Sequence, residues 1–138
     1  MHPNILTPLL ALVVWTFVMW AWMYATRIPA MQRAGIDPKK VKRKDDIEGL
    51  PTSVKQIADN YNHLHEQPTV FYALLVYSHL VGVADVLNVQ LAWAYVAIRV
   101  VHSFVQSTKN FVPVRFSVFM LGSLVLIAIT GRNVAALF

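Results

Sequence analysis

Arg99 is the residue whose type and position point most directly to chemistry. It stands in the otherwise apolar run of residues 93–101, which reads Trp-Ala-Tyr-Val-Ala-Ile-Arg-Val-Val. A charged side chain near the centre of a bilayer costs at least roughly 2.5–3.5 kcal/mol on insertion scales, and it is retained where it faces a polar interior and meets a partner. We therefore interpret Arg99 as a candidate ligand-binding residue.

Four further polar side chains are spaced so that they could meet Arg99. Asn62 and Glu66 are four residues apart, which predicts one shared helix face, and His102 follows Arg99 by three residues. Arg115 begins the next apolar segment. Because arginine pairs bidentately with carboxylates, the set predicts a pocket for a small zwitterionic or anionic ligand. The alternative is an internal Glu66–Arg99 salt bridge that only holds the helices together.

The spacing of the other polar residues disfavours two ligand classes. His63 and His65 are two residues apart and would point to different sides of a helix, and the sequence has no Glu-x-x-His pair, so we predict no metal site. The basic run of residues 39–44 lacks an aromatic platform and predicts a solvated loop attracted to anionic membrane lipids rather than to nucleic acid.

The segments that carry these residues have the composition of a membrane protein. The 138-residue chain is 57% hydrophobic and 14% charged, and it contains no cysteine, which excludes disulfides and cysteine nucleophiles. Four segments approach the roughly 20 apolar residues that a membrane-crossing helix needs. The sequence predicts a single domain over 1–138, an all-α integral membrane bundle of four helices at about 5–26, 62–84, 89–107 and 116–130. Residues 27–60 are predicted to form a loop.

The distribution of positive charge predicts the orientation in the membrane. The first connection carries most of the Lys and Arg residues, the third carries Lys109 and Arg115, and the connection at 85–88 carries none. Because cytoplasmic loops carry the excess of Lys and Arg, the first and third connections should be cytoplasmic and both termini should lie on the opposite face.

Three stretches of this sequence resemble one known family. They are residues 99–102, Arg-Val-Val-His; residues 113–115, Pro-Val-Arg; and residues 62–72, with the pattern Asn-x-x-x-Glu-x-Pro-x-x-Phe-Tyr. Together they resemble the MAPEG family, the membrane-associated proteins in eicosanoid and glutathione metabolism. The likeness covers essentially the whole chain. The pattern at residues 62–72 resembles that of bacterial members, and the other two motifs resemble the branch that contains microsomal prostaglandin E synthase.

The resemblance implies a function and an assembly. It implies a homotrimer of four-helix subunits in a bacterial inner membrane, with glutathione as co-substrate bound between neighbouring subunits near the cytoplasmic face. The implied activity is that of a glutathione-dependent transferase or peroxidase acting on lipophilic electrophiles. By the same resemblance, Arg115 would stabilise the glutathione thiolate, and the remaining pocket residues would be Arg33, Asn62, Glu66, Arg99 and His102.

The chain also departs from the family pattern at several positions. Gln106 stands where a glutathione-contacting tyrosine is expected, Asp59 stands near an expected arginine, and Phe116 replaces a serine. The family spacing of three before the glutamate would fall on His63 rather than on Asn62. The alternative function is therefore a non-catalytic membrane protein, structural or lipid-binding, on the same scaffold.

The predicted orientation can be tested with single cysteines, because the chain has none of its own. In intact cells, a membrane-impermeant thiol reagent should label Leu137→Cys at the C-terminus. The same reagent should label Lys40→Cys in the first connection only after the membrane is permeabilised. Labelling of Lys40→Cys from outside intact cells would contradict the orientation.

Overall fold

The protein folds into α-helices joined by short connections. The computed structural model describes residues 4–138, apart from the side chain of Lys44, so the domain predicted from residue 1 begins outside the described residues. It contains no strand within that range, which confirms the all-α class. The helices are α1 (Leu6–Arg33), α2 (Thr52–His63), α3 (Gln67–Leu80), α4 (Val86–Ser107) and α5 (Val112–Ala135).

Two of these helices, α1 and α5, are long and apolar enough to cross a membrane. At 28 and 24 residues they exceed the roughly 20 residues that a bilayer requires. Both present large apolar side chains to the outside of the chain, and Phe17 on α1 and Ile127 on α5 are each 65% exposed. Exposed apolar surface on this scale is typical of contact with lipid or with another subunit.

The second predicted helix is broken in the structure, so the single helix predicted over 62–84 was wrong. Helix α2 ends at His63 and α3 begins at Gln67. Pro68 explains the break, because its ring clashes with the carbonyl group four residues earlier, at Leu64, and it has no N–H group to bond that carbonyl. Asn62 and Glu66 therefore lie on different sides of the break and do not share one helix face.

The first connection is shorter than the predicted loop of 27–60. Helix α1 continues to Arg33 and α2 already begins at Thr52. The N-terminal part of α2 is polar in composition, but Ile57 and Ala58 are buried. A sequence scan for membrane segments misses such an amphipathic helix.

In the connection between α1 and α2, the carboxylate of Asp46 accepts hydrogen bonds from the backbone N–H groups of Lys42 and Arg43. These hydrogen bonds hold the pKa of Asp46 below its usual range.

Helix α4 packs against α1, α2 and α5. The ring of Tyr95 stacks on Phe71 of α3, with ring centroids 4.6 Å apart. The indole N–H of Trp15 on α1 donates to the hydroxyl of Ser103 at 3.0 Å. Helix α5 packs closely on α4 at Gly122, which has no side chain to separate the two helices. The residues of α4 are thereby held in fixed positions.

Polar contacts fasten the end of the bundle where α3 ends, α4 begins and α5 ends. The side chains of Ser78 and Asn133 are hydrogen-bonded to each other at 2.9–3.1 Å and are buried. Arg132 donates to Asn88 at 2.8 Å and forms an ion pair with Asp85. Every polar group named here has a partner within the chain.

The close approach at Gly122 predicts a position-specific loss of stability. A Cβ atom there would lie 3.3 Å from Cγ2 of Ile98 and 3.4 Å from Cε2 of Tyr95. We expect Gly122→Leu to lower the free energy of unfolding by about 1–3 kcal/mol, because overpacking forces the helices apart. Thermal unfolding in detergent measures this.

Gly131→Leu on the same helix is the matched control. A Cβ atom at Gly131 would meet no atom within 4 Å, so this variant should unfold close to the wild-type temperature. Equal unfolding temperatures for the two variants would contradict the tight α4–α5 contact.

Candidate functional site

A cavity of about 430 Å³ lies between α4, the first turns of α5 and the break between α2 and α3. It contains four of the six residues that the sequence singled out for a site, namely Glu66, Arg99, His102 and Arg115. The other lining residues are His63, Gln67, Val112, Phe116 and Phe119.

Arg99 is the most unusual side chain in this cavity. It is only 1% exposed, and its Nε and Nη2 atoms are buried with no hydrogen-bond partner. Glu66 lines the same cavity, yet among the described side chains the salt bridge within 4.0 Å is Arg132–Asp85, so Glu66 and Arg99 do not form one. The internal salt bridge considered for this pair is absent, and the guanidinium is left free to meet another anion.

His102 lies one helical turn after Arg99 and faces the same cavity. Its side chain is 3% exposed, and its Nδ1 atom is buried without a hydrogen-bond partner. Its ring centroid lies 6.3 Å from that of Phe119 on α5. Because an unpaired polar atom in a buried site costs about 1–3 kcal/mol, these free atoms of Arg99 and His102 are typical of a binding site.

Arg115 enters the cavity from the first turn of α5. Its Nη1 atom donates a hydrogen bond to Oδ1 of Asn110 at 2.8 Å. The N-terminus of α5 adds the partial positive charge of its free backbone N–H groups. With two arginines and one glutamate, the charged lining of the cavity has an excess of positive charge, which favours an anionic group in the ligand.

Gln67 and His63 also line the cavity, although sequence reasoning did not count them among the site residues. The hydroxyl of Tyr95 donates to Oε1 of Gln67 at 3.1 Å, and Nε2 of Gln67 donates to Ser123 at 2.7 Å. His63 is hydrogen-bonded through Nδ1 to Oε1 of Gln106 at 3.2 Å. The spacing of three residues before Glu66 was the available signal for His63, whereas no local pattern pointed to Gln67.

The structure does not bring Asn62 or Arg33 into this cavity. Asn62 lines a separate cavity of about 360 Å³ together with Arg27, Asp59 and Asn110. Arg33, in the last turn of α1, lines a third cavity of about 580 Å³. Within one chain, the predicted set therefore divides into four residues that converge and two that lie elsewhere.

Part of the cavity lining is apolar. Three apolar side chains of α5 contribute to it, of which Val112 and Phe116 are 57% and 61% exposed. Among the described residues, no group of three His, Cys, Asp or Glu side chains could hold a metal ion. The site therefore combines cationic and apolar side chains, and it can receive a molecule with anionic groups beside a hydrophobic one.

Comparison with known proteins identifies the family. The model of the MAPEG family matches residues 5–135, which is nearly the whole chain. The chain belongs to the MAPEG family. No curated protein and no solved structure matches it. MAPEG membership, together with the two apolar helices α1 and α5, makes it an integral membrane protein of the family concerned with eicosanoid and glutathione metabolism.

Because the guanidinium of Arg99 is buried and unpaired, we predict that this MAPEG protein is less stable than a variant with an apolar side chain at position 99. We expect Arg99→Met to raise the free energy of unfolding of the ligand-free protein by about 1–3 kcal/mol, because it removes buried donors that have no acceptor. Chemical unfolding in detergent measures the change.

Arg132→Met at the other end of the bundle is the matched control for this measurement. Arg132 has both an ion pair and a hydrogen bond, so its loss should lower the free energy of unfolding. If Arg99→Met destabilises the protein as Arg132→Met does, then Arg99 has a structural partner.

Proposed function

We propose that this protein binds glutathione in the cavity around Arg99 and uses it as a glutathione-dependent transferase or peroxidase on lipophilic electrophiles. One observation carries the proposal. The buried guanidinium of Arg99 has unpaired donors and faces the same cavity as Arg115, His102 and Glu66. A chain that keeps such an arrangement at a cost in stability is typical of one that binds an anion there.

The charges of the cavity match those of glutathione, which has two carboxylates, one ammonium group and a thiol. Arg99 can pair with a carboxylate through its free donors, and the carboxylate of Glu66 can pair with the ammonium group. His102 offers a further hydrogen-bonding atom. These partners would fix the tripeptide by its ends and leave the thiol to be placed near Arg115.

Arg115 would supply the chemistry by favouring the thiolate, which is the nucleophilic form of a thiol. Its positive charge and the N-terminus of α5 both lower the pKa of a thiol beside them. In a transfer reaction, the thiolate sulfur bonds to an electrophilic carbon, and the leaving group departs with its electron pair. In a peroxidase reaction, the sulfur takes one oxygen from a hydroperoxide and releases an alcohol. The thiol of a second glutathione then attacks the resulting sulfenic acid, which forms the disulfide and releases the oxygen as water.

The proposed assembly is a homotrimer of subunits whose four membrane-crossing elements are α1, α2 with α3, α4 and α5. The exposed apolar faces of α1 and α5 support contact with lipid and with neighbouring copies. A site completed by a neighbouring subunit would account for the positions of Arg33 and Asn62, which lie outside the cavity of their own chain. We place the connection between α1 and α2 in the cytoplasm of a bacterial cell, where glutathione would enter.

Titration of the purified protein with glutathione tests this function. We expect the wild-type protein to gain thermal stability and to show the ultraviolet absorbance of a thiolate near neutral pH. Arg115→Lys keeps a positive charge but lacks the planar fork of donors, so it should retain binding and lose thiolate formation and turnover. Arg99→Met should weaken the free energy of glutathione binding by roughly 2–5 kcal/mol, as expected when one partner of a buried charge pair is removed.

Arg132→Lys serves as the control, since Arg132 lies at the other end of the bundle and should affect neither signal. Full turnover in Arg115→Lys would rule out Arg115 as the thiolate-stabilising residue. If the wild-type protein does not respond to millimolar glutathione, the non-catalytic alternative, a structural or lipid-binding protein, becomes the better account.

A further inference from the structure

Asn110 has an unusual backbone conformation in the connection between α4 and α5. Its φ angle is 49°, which makes it the non-glycine residue with positive φ among the described residues. Asparagine tolerates this left-handed region better than most residues do. The N–H group of Asn110 donates to the carbonyl of Val105 at 2.7 Å, a bond that closes the C-terminal end of α4. The backbone position of Asn110 is therefore well defined.

The side chain of Asn110 reaches the next helix. Asn110 precedes the N-cap residue Phe111, and Arg115 is the fourth residue of α5. Side chains at these two positions of a helix commonly meet, and in most proteins the contact is hydrophobic. Here the contact is polar, because Nη1 of Arg115 donates to the amide oxygen of Asn110 at 2.8 Å. The same arginine lines the cavity with Arg99 and His102.

The acceptor at this position carries no charge, and a second arginine of the chain shows why that matters. Arg132 also donates to an asparagine, Asn88, at 2.8 Å, but it is paired in addition with the carboxylate of Asp85. Arg115 has no carboxylate within ion-pair distance in the described part of the chain. The chain thus neutralises Arg132 and orients Arg115 without neutralising it.

We propose that Asn110 is a positioning residue that aims the Arg115 guanidinium into the cavity and leaves its positive charge available to the ligand. This inference rests on the proposed function, in which that ligand is the glutathione thiolate. It assigns Asn110 two separate tasks: its backbone ends α4, and its amide oxygen orients Arg115. Substitutions at Asn110 can separate these tasks.

Two variants of Asn110 keep the backbone and change the acceptor. Asn110→Gly tolerates positive φ and removes the acceptor. Asn110→Asp also tolerates this region but places a negative charge beside Arg115. The measurement is the thiolate absorbance of bound glutathione as a function of pH. For Asn110→Gly we expect a roughly 3- to 10-fold lower thiolate fraction near neutral pH, which is the range expected from the loss of one hydrogen bond. For Asn110→Asp we expect the thiol pKa to rise by about 1 unit or more.

Asn88→Ala is the matched control, because it removes the other asparagine–arginine hydrogen bond of the chain, far from the cavity. It should lower the unfolding temperature without moving the thiol titration. If both Asn110 variants titrate like the wild type, or lose only thermal stability, Asn110 is merely structural and the inference is overturned while the proposed function stands. If the wild-type protein forms no thiolate at all, the proposed function fails in that first measurement and the inference falls with it.

Discussion

A guanidinium that is buried without a counter-charge is the constraint on which the structure around α4 depends. Arg99 is nearly inaccessible, and two of its donors have no acceptor in the chain. The protein carries this desolvation cost without an ion pair to offset it. A cavity lies beside the guanidinium between α4 and α5, although the two helices are in close contact at Gly122.

The two ends of the bundle treat their polar groups in opposite ways. Where α3 and α5 end, Arg132 is matched by Asp85 and Asn88, and Ser78 is matched by Asn133. At the cavity, the charged groups face a shared space and are not paired with one another. The cavity end of the bundle therefore keeps charged groups that can respond to a ligand. Such a division is expected where binding requires strained or unsatisfied groups.

The sequence was sufficient for those features that depend on short-range patterns. The apolar runs predicted α1, α4 and α5 with ends within five residues of those observed, except that α1 continues seven residues further, to Arg33. The charge within residues 93–101 identified Arg99. The break at Pro68 was mispredicted, because an apolar run was extended backward through a proline. Gln67 and Tyr95 could not have been placed from sequence, since their contacts join residues 28–56 positions apart. Arg33 was placed in the site by family resemblance alone, and the fold of one chain does not bring it there.

The break before α3 has a consequence for the bilayer itself. Helix α3 has 14 residues and so rises about 21 Å, which is less than the hydrocarbon thickness of about 30 Å. In the proposed bundle, this shortfall falls at the level of Glu66 and Gln67. A short apolar element is accommodated by local thinning of the membrane, which draws headgroups and water inward. The cavity would thus lie close to water at Glu66, and a molecule dissolved in the membrane would need to travel only a short distance to meet one dissolved in the cytoplasm.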